Sequence, residues 1–218
     1  MPMDWWRRNV ENLDKAAFDG VGQYEIPQME PVHLELIQGQ LPVEMIGFNF
    51  ASRYAQPQQA GVHFFLKDYQ FSRVWTSPEV YLQMLSRFKC VCTPDFSLYT
   101  DYPVAVQLYS HYRKHWLGAW WQQNGLTVIP SISWSDEHSF DWCFDGDPVR
   151  GTVAVSSVGT QMNDNTRSLF RDGYEEMLLR LQPELILFHG DVPDCCSGNI
   201  VPIPAYQKRL RKIRSGAV

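Results

Sequence analysis

The sequence predicts an α/β fold in which a parallel sheet is covered by helices. Short apolar runs alternate with helical patterns at intervals of roughly 30 residues, and these runs are continuous, as expected for strands buried on both faces. A small or incomplete (βα) barrel is favoured over a doubly wound open sheet, because complete barrels begin at about 200 residues. The chain has 218 residues and contains neither G-x-G-x-x-G nor a P-loop pattern, so no nucleotide-binding motif is predicted.

The composition is that of a globular protein with a large core. Hydrophobic residues make up 44% of the chain, and the formal net charge of −5 provides no overall field that would attract a polyanion. The five cysteines form no C-x-x-C pair, so we expect reduced thiols rather than a zinc site or a disulfide framework. No window approaches the ~18 apolar residues of a membrane span. We therefore expect a cytoplasmic protein with no membrane partner.

Three regions are expected along the chain. Residues 1–44 are an irregular lead-in, with a short helix at 12–18 and an extended piece at 32–37. Residues 45–206 form the α/β domain, and residues 207–218 form a basic tail.

Within the α/β domain, apolar runs bounded by turn residues predict six strands and one edge strand. They are 45–50, 62–66, 90–94, 126–132, 152–157, 185–190 and, at the edge, 199–203. Helical spacing predicts helices at 77–88, 103–124 and 166–181. The first has Ser77 and Pro78 at its start, as is typical of helix N-termini. The second is followed by Gly125 and the third by Pro183, which end them.

The long helix at 103–124 carries an aromatic stripe. Tyr112, Trp116 and Trp120 recur every fourth residue, which places them on one face. We interpret this stripe as core rather than as a platform for stacking nucleobases.

Right-handed crossovers bring the carboxyl ends of parallel strands to one edge of the sheet, where ligands bind in such folds. The polar and aromatic residues expected there are Asn49, Asp68, Asp95, Tyr99, Trp134, Asp136, Glu137, Ser156, Ser157 and His189. The sequence therefore indicates where a site lies without indicating its reaction.

Four of these residues are candidate catalytic groups. Asp95 with Asp136 or Glu137 provides two carboxylates that share an acid/base task, or that bind Mg²⁺ or Mn²⁺ together with His189. Structural roles remain open for each: Asp95 capping a turn, Asp136 and Glu137 capping a short helix, and His189 hydrogen-bonded in the core. The identity of any metal is left open.

The other edge residues are candidate substrate contacts. Asn49, Asp68, Tyr99, Trp134 and Ser157 would form polar and aromatic walls suited to a sugar, a nucleobase or a peptide. The Ser156–Ser157 pair lacks a G-x-S-x-G context, so a serine hydrolase is weakly supported.

The tail contains the one concentrated basic run, 208–214. It is either a solvated terminal helix or a local contact for nucleic acid or for a host protein.

Several segments carry a family resemblance. They are GVHFF at 61–65 with DYQF at 68–71, PDFSLYTD at 94–101, SWSDE at 133–137, FDWCFDG at 140–146 and VSSVG at 155–159. Together they resemble the uncharacterised family catalogued as domain of unknown function forty-four seventeen, over about residues 46–203. The resemblance implies a protein of bacteria, phages and other mobile elements. It supplies no activity and no catalytic residues.

Two functional hypotheses follow. The first is an enzyme, with or without a divalent metal, that hydrolyses a phosphoester, nucleotide or glycosidic bond at the acidic edge. The second is a non-catalytic binding module or inhibitor of a mobile element, which acts on nucleic acid or on a host defence protein.

Overall fold

The computed structural model describes residues 18–33, 42 and 44–203. All but the last residue of the expected helix at 12–18, most of the extended piece at 32–37 and the basic tail lie outside these residues. Among the residues described, no helix combines the length and apolarity that crossing a bilayer requires. All five cysteines are free, as expected.

The lead-in contains regular structure that the sequence did not predict. Strands β1 (Gly20–Val21) and β2 (Ile26–Pro27) form an antiparallel hairpin. Ile26 and Met29 are each 1% exposed. A Cβ on Gly118 of the long helix would lie 2.2 Å from the Met29 sulfur, so the missing side chain lets the lead-in pack against that helix. This hairpin adds regular structure to the lead-in beyond the short helix and the extended piece that the sequence predicted.

Seven parallel strands follow the hairpin in two sheets. They are β3 (Glu44–Gly47), β4 (Ala60–His63), β5 (Cys90–Cys92), β6 (Val128–Ile129), β7 (Thr152–Ser156), β8 (Leu185–His189) and β9 (Ile200–Ile203). The first sheet has the order β3-β4-β5-β6 and the second the order β7-β8-β9. All neighbouring pairs in both sheets are parallel, which confirms the predicted arrangement.

The two sheets are open, and one bridge between Ser131 and Ala154 links them. Within the described residues no pairing joins β3 to β9, so a closed barrel is not shown. The spatial order follows the chain order throughout, without the reversal that defines a doubly wound sheet.

Five α-helices and three 3₁₀ turns connect the strands in the described part of the chain. The helices are α1 (Phe48–Ala51), α2 (Arg73–Thr76), α3 (Pro78–Leu85), α4 (Val104–Gln123) and α5 (Asp164–Leu181), and the 3₁₀ turns are Pro57–Gln59, Asp68–Gln70 and Glu137–Asp141. Helix α5 begins with a capping box between Asn163 and Thr166. Helix α3 begins at Pro78 as predicted, although the Ser77 side chain makes no capping hydrogen bond.

The predicted strand at 45–50 ends early, at Gly47. Phe48 turns into α1, where its ring stacks on Phe64 with 4.9 Å between centroids. In a strand, Phe48 and Phe50 would share one face of the sheet. In the helix Phe48 is buried while Phe50 is 41% exposed.

The apolar core divides into three clusters. One packs α1–α4 against the first sheet and includes buried Trp116 with half-buried Tyr112 and Trp120, which confirms the predicted aromatic stripe as core. A second packs α5 on β7 and β8. The third joins residues from strands of both sheets, including Met45 of β3 and Ile203 of β9. The first and last parallel strands thus share one apolar interior.

A buried set of hydrogen bonds, which we call the Ser131 clasp, joins three strands and a helix. The Ser131 amide donates to Thr93 Oγ1 (2.8 Å), and the Ser131 hydroxyl donates to the Thr93 carbonyl (2.8 Å). Lys114 Nζ of α4 donates to the Ser131 carbonyl at 3.0 Å. Ser131 also bridges to Ala154 of β7. Thr93 and Ser131 immediately precede the segments that leave β5 and β6 at the carboxyl edge, so the clasp determines where those segments begin.

We expect Thr93→Val to destabilise the fold by about 1–3 kcal/mol, because it leaves the buried Ser131 amide without its acceptor. Thr93→Ser is the matched control, since it keeps the hydroxyl and removes only the methyl group. Its cost should be smaller, about 1 kcal/mol. Chemical denaturation of the two variants measures the difference. A smaller loss in Thr93→Val than in Thr93→Ser would show that the methyl contact, rather than the hydrogen bond, carries the stability.

Candidate functional site

A cleft of about 480 Å³ lies at the carboxyl ends of β4 to β7, and we call it the edge cleft. Its lining residues come from the segments that follow these four strands and from α5. They are Phe65, Leu66, Lys67, Gln70, Asp95, Ser97, Leu98, Tyr99, Ile132, Ser133, Trp134, Ser156, Val158, Thr160 and Phe170. The structure thus places a concave site at the edge that the sequence indicated. The residues expected at this edge that line it are Asp95, Tyr99, Trp134 and Ser156.

Asp95 is the carboxyl group that lines the edge cleft. Its pKa is raised from 3.8 to about 6, chiefly by burial and in smaller part by the nearby Asp68 carboxylate. Lys114 and the Ser133 hydroxyl beside it act in the opposite direction by favouring the ionised form. A carboxyl with a pKa near 6 exchanges its proton close to neutral pH, as a general acid or base must.

Asp68 stabilises the edge cleft without lining it. Its two carboxylate oxygens accept hydrogen bonds from Ser97, one from the hydroxyl at 2.7 Å and one from the amide at 3.2 Å. Asp68 is absent from the lining of the edge cleft. Its role in the structure is to hold the segment after β5, on which Asp95 and Ser97 lie.

Aromatic residues form the walls of the edge cleft. Trp134 donates through Nε1 to the Leu169 carbonyl at 3.0 Å, and its ring packs against Phe170 with 5.5 Å between centroids. A Cβ at Gly173 of α5 would lie 2.1 Å from Trp134 Nε1, so glycine is needed for this close approach. Tyr99 is 55% exposed at the rim, edge-on to Tyr102.

Two predicted catalytic acids lie away from the edge cleft. Asp136 caps the 3₁₀ turn at 137–141 by accepting from the His138 amide at 3.1 Å, and Glu137 is exposed in the first turn. Neither lines the edge cleft. Local hydrogen bonds explain why the two acids lie outside the cleft. The Ser139 hydroxyl donates to the Asp136 carbonyl (2.6 Å) and accepts from the Ser135 amide (3.1 Å). These bonds turn the chain away from the cleft after Trp134. The capping role left open for Asp136 is the one that the structure shows.

His189 is buried beneath the edge cleft rather than in its lining. Its ring lies 4.7 Å from that of His63 and 5.0 Å from that of Phe65, and its Nδ1 is 3.1 Å from Ser156 Oγ. Burial lowers the pKa of His189 to about 4 and, with the neighbouring His189, that of His63 to about 3. Both imidazoles are therefore neutral at pH 7.

The remaining predicted contacts are structural or peripheral. The Ser157 hydroxyl donates to the Asp191 carbonyl at 2.5 Å and is buried, so it joins the loops after β7 and β8. Asn49 is exposed on α1, and its Oδ1 covers Gly47. Neither lines the edge cleft.

Sequence reasoning missed a buried polar network on α4. His115 Nε2 lies 3.0 Å from Asp147 Oδ1, His115 Nδ1 lies 3.0 Å from the His111 carbonyl, and His111 Nε2 lies 2.9 Å from the Asp145 carbonyl. The detectable signal was the spacing of His111, Lys114 and His115, which puts three polar residues on one face of an otherwise packed helix. This network anchors the loop before β7, and the same helix carries Lys114, whose charge lowers the pKa of Asp95.

The structure does not gather the ligands of the metal site that the sequence left open. Among the residues described, no group of three or more His, Cys, Asp or Glu side chains is placed to hold a metal ion. Asp95, Asp136, Glu137 and His189 are dispersed between the cleft, a helix cap and the buried interior.

Comparisons with known proteins agree with the resemblance noted in the sequence. The family model described as Domain of unknown function (DUF4417) matches residues 18–207. The chain is 37% identical over 209 residues to the Gene 1 protein of Mycobacterium phage L5, covering 94% of this chain and 88% of that protein. It is 37% identical over 214 residues to the Gene 1 protein of Mycobacterium phage D29, covering 96% of this chain and 77% of that protein. No solved structure matches the chain.

The raised pKa of Asp95 makes a prediction for stability. Between about pH 4 and about pH 6 the folded protein binds this proton more tightly than the unfolded chain does, so the free energy of unfolding falls as the pH rises through that window. Asp95→Asn cannot ionise. We therefore expect it to be more stable than the wild type above about pH 6, by on the order of 1–3 kcal/mol, with the difference vanishing near pH 4.

Denaturation at several pH values measures this difference, with Asp101→Asn as a control for an exposed carboxyl. A variant that is less stable than the wild type at neutral pH would show that the Asp95 carboxylate stabilises the fold, and would contradict the prediction.

Proposed function

The chain belongs to the family described as Domain of unknown function (DUF4417), and from that premise we propose that the edge cleft is the active site of a hydrolase that cleaves a glycosidic bond. The observation that carries the proposal is the Asp95 carboxyl, half-buried in a concave site at the strand carboxyl ends with its pKa raised to about 6. Perturbed carboxyl groups in clefts are characteristic of acid/base catalysis.

In the proposed reaction Asp95 is the general acid. Its protonated carboxyl donates a proton to the bridging oxygen or nitrogen while the bond from that atom to the anomeric carbon breaks, and the bonding electrons stay with the leaving group. Water then supplies a hydroxyl to the anomeric carbon and returns its other proton to Asp95. A positioned general acid contributes about 10²–10⁴ to such a rate. The neighbouring Asp68 carboxylate opposes ionisation of Asp95 and so favours the acid form.

The lining of the edge cleft favours a sugar or nucleoside over a phosphoester. Phosphoryl transfer depends on cations that neutralise the charge developing on the phosphoryl oxygens. Lys67 is the cation in the lining, while Lys114 is buried and bonded to Ser131. The lining instead combines aromatic and aliphatic faces with hydroxyl groups, which suits an uncharged polyhydroxylated ring.

We further propose that the two sheets are parts of one incomplete (βα) barrel. Two observations support this arrangement: the strand order follows the chain order, and the first and last parallel strands contribute to one apolar cluster. In barrels of this kind the active site lies at the carboxyl ends of the strands, which is the position of the edge cleft.

A second candidate function is non-catalytic binding of a protein partner. Exposed tyrosines favour it, since Tyr69, Tyr99 and Tyr102 are 76%, 55% and 39% exposed close to the segments that form the cleft. Tyrosine is enriched at protein interfaces. The relatives named above are phage proteins, a setting in which partners from the host are available.

We expect Asp95→Asn to abolish hydrolysis of whichever members of a panel of p-nitrophenyl glycosides and 2′-deoxynucleosides the wild type cleaves. Glu137→Gln, which removes an exposed carboxyl outside the cleft, should retain wild-type turnover. Wild-type activity should fall above about pH 6, because the acid form of Asp95 is lost there.

Release of p-nitrophenol or free base, followed as a function of pH, makes this measurement. Absence of turnover on the whole panel, or full activity in Asp95→Asn, would refute the proposed reaction and favour the binding function.

A further inference from the structure

Cys195 and Cys196 form a pair of adjacent thiols in the loop between β8 and β9. Cys195 is exposed, whereas Cys196 is half-buried against the apolar cluster of α5, β7 and β8. The Cys196 amide donates to the Pro193 carbonyl at 3.0 Å, so both cysteines lie in one tight turn. The Tyr174 hydroxyl of α5 donates to the Ser197 carbonyl at 2.7 Å, directly after this turn. The thiol pair is therefore held against α5.

The two thiols contact each other and differ in their surroundings. The pKa of Cys196 is raised, chiefly by burial and in smaller part by the charge of Cys195 and by a hydrogen bond between the two side chains. Cys196 therefore keeps its proton at neutral pH, while the exposed Cys195 is open to reagents from solution. Oxidation of a dithiol in two steps uses such a pair, in which one thiol reacts with the oxidant and the other resolves the product.

The exposed thiol also lies beside a cation. Cys195 lines a cavity of about 730 Å³ that Arg171 of α5 lines as well. The pKa of Arg171 is raised, chiefly by its hydrogen bond to Asp172 and in smaller part by other charges that include Cys195. The guanidinium and the sulfur are therefore close enough to interact electrostatically. Exposure and a neighbouring cation are the surroundings in which reactive cysteines are found.

The other three cysteines lie in surroundings that make thiols inert. Cys90, Cys92 and Cys143 are all buried. Burial raises the pKa of Cys90 and of Cys143 to about 12, and it raises that of Cys92 well above its usual value. Because the thiolate is the reactive form, buried thiols that stay protonated react slowly with oxidants. Cys195 and Cys196 are thus the two thiols that an oxidant can reach.

We propose that Cys195 and Cys196 form a site of reversible oxidation whose substrate is a hydroperoxide. With hydrogen peroxide, the Cys195 thiolate attacks one oxygen atom and the O–O bond breaks. The hydroxide that leaves takes up the proton lost by Cys195, and Cys195 becomes a sulfenic acid. The Cys196 sulfur then attacks the Cys195 sulfur, the S–O bond breaks, and the hydroxyl leaves as water with the Cys196 proton. Two thiols are oxidised to one disulfide, and one peroxide is reduced to two waters.

A disulfide between adjacent residues is strained and therefore easily reversed. Consecutive Cα atoms are about 3.8 Å apart across a trans peptide, whereas disulfides usually join Cα atoms roughly 4.4–6.8 Å apart. Strained and exposed disulfides are the ones that thiol reductants open most readily. The site is also independent of the proposed hydrolase, because none of the residues that line its cavity lines the edge cleft.

Mass spectrometry of the full-length protein after treatment with hydrogen peroxide tests the proposal. We expect the wild type to lose two hydrogen atoms, about 2 Da, and the peptide that contains Cys195 and Cys196 to resist alkylation by iodoacetamide. Reduced glutathione should restore both thiols. Cys90, Cys92 and Cys143 are internal controls, which should remain reduced and become alkylated after unfolding.

Variants separate the two roles within the pair. Cys196→Ser should stop at a sulfenic acid on Cys195, which dimedone traps, whereas Cys195→Ser should take up no dimedone. Arg171→Met should slow the oxidation about two- to fivefold, since it removes an exposed charge interaction. Arg171→Lys, which keeps the charge, is its matched control and should react at nearly the wild-type rate.

Three results would overturn the proposal. One is a wild type that keeps all five thiols in peroxide, and another is a wild type that forms only disulfides between two chains or sulfinic acid on Cys195. The third is oxidation of Cys195→Ser at the wild-type rate, which would place the reactive sulfur elsewhere. The first two results come from the unmodified protein, so they hold whether or not the variants fold.

Discussion

The rest of the site depends on the buried hydrogen bonds of the Ser131 clasp. Thr93 and Lys114 engage every backbone and side-chain polar group of Ser131 away from water, and the residues on either side of Ser131 pair with Ala154. Buried groups of this kind are costly to leave unpaired, so the clasp permits one register between β5, β6 and β7. Because the two sheets meet through Ser131, the same residue also sets how the second half of the fold sits on the first.

The clasp also sets the electrostatics of the edge cleft. Lys114 reaches the Ser131 carbonyl from α4, and its charge favours the ionised form of Asp95 against the effect of burial. The balance between desolvation and this cation leaves the pKa of Asp95 at about 6 rather than higher. The Lys114 side chain therefore both supports the structure of the site and lowers the pKa of Asp95. A lysine so deeply buried is expected only where partners satisfy it, and the carbonyl of the clasp is such a partner.

The structure brings together a different set of residues from the set that the sequence predicted for the site. Position along the chain identified Asp95, Tyr99 and Trp134, because each lies in a segment that follows a strand and the carboxyl ends of parallel strands converge. Asp136 and Glu137 follow a strand equally closely, yet the hydrogen bonds of Ser139 turn them into a helix cap and an exposed residue. The sequence identified His189 as a site residue but did not identify its neighbour His63. The nearness of the two depends on bringing β4 and β8 to one interior, and no local pattern encodes that distance.

The sequence by itself determined the parallel α/β class, the order of the seven parallel strands and the three longest helices, the aromatic core face of α4 and the edge at which a site would lie. These features follow from hydrophobic periodicity, helix-end residues and the handedness of crossovers, all of which are local or general rules. Only the tertiary structure decided the β1–β2 hairpin in the lead-in, the early end of β3 and the burial of His111, Lys114 and His115. It alone also decided the raised pKa of Asp95 and the pairing of His63 with His189. Those features depend on distances between residues far apart in the chain and on the exclusion of water around them, and both arise only when the elements pack together.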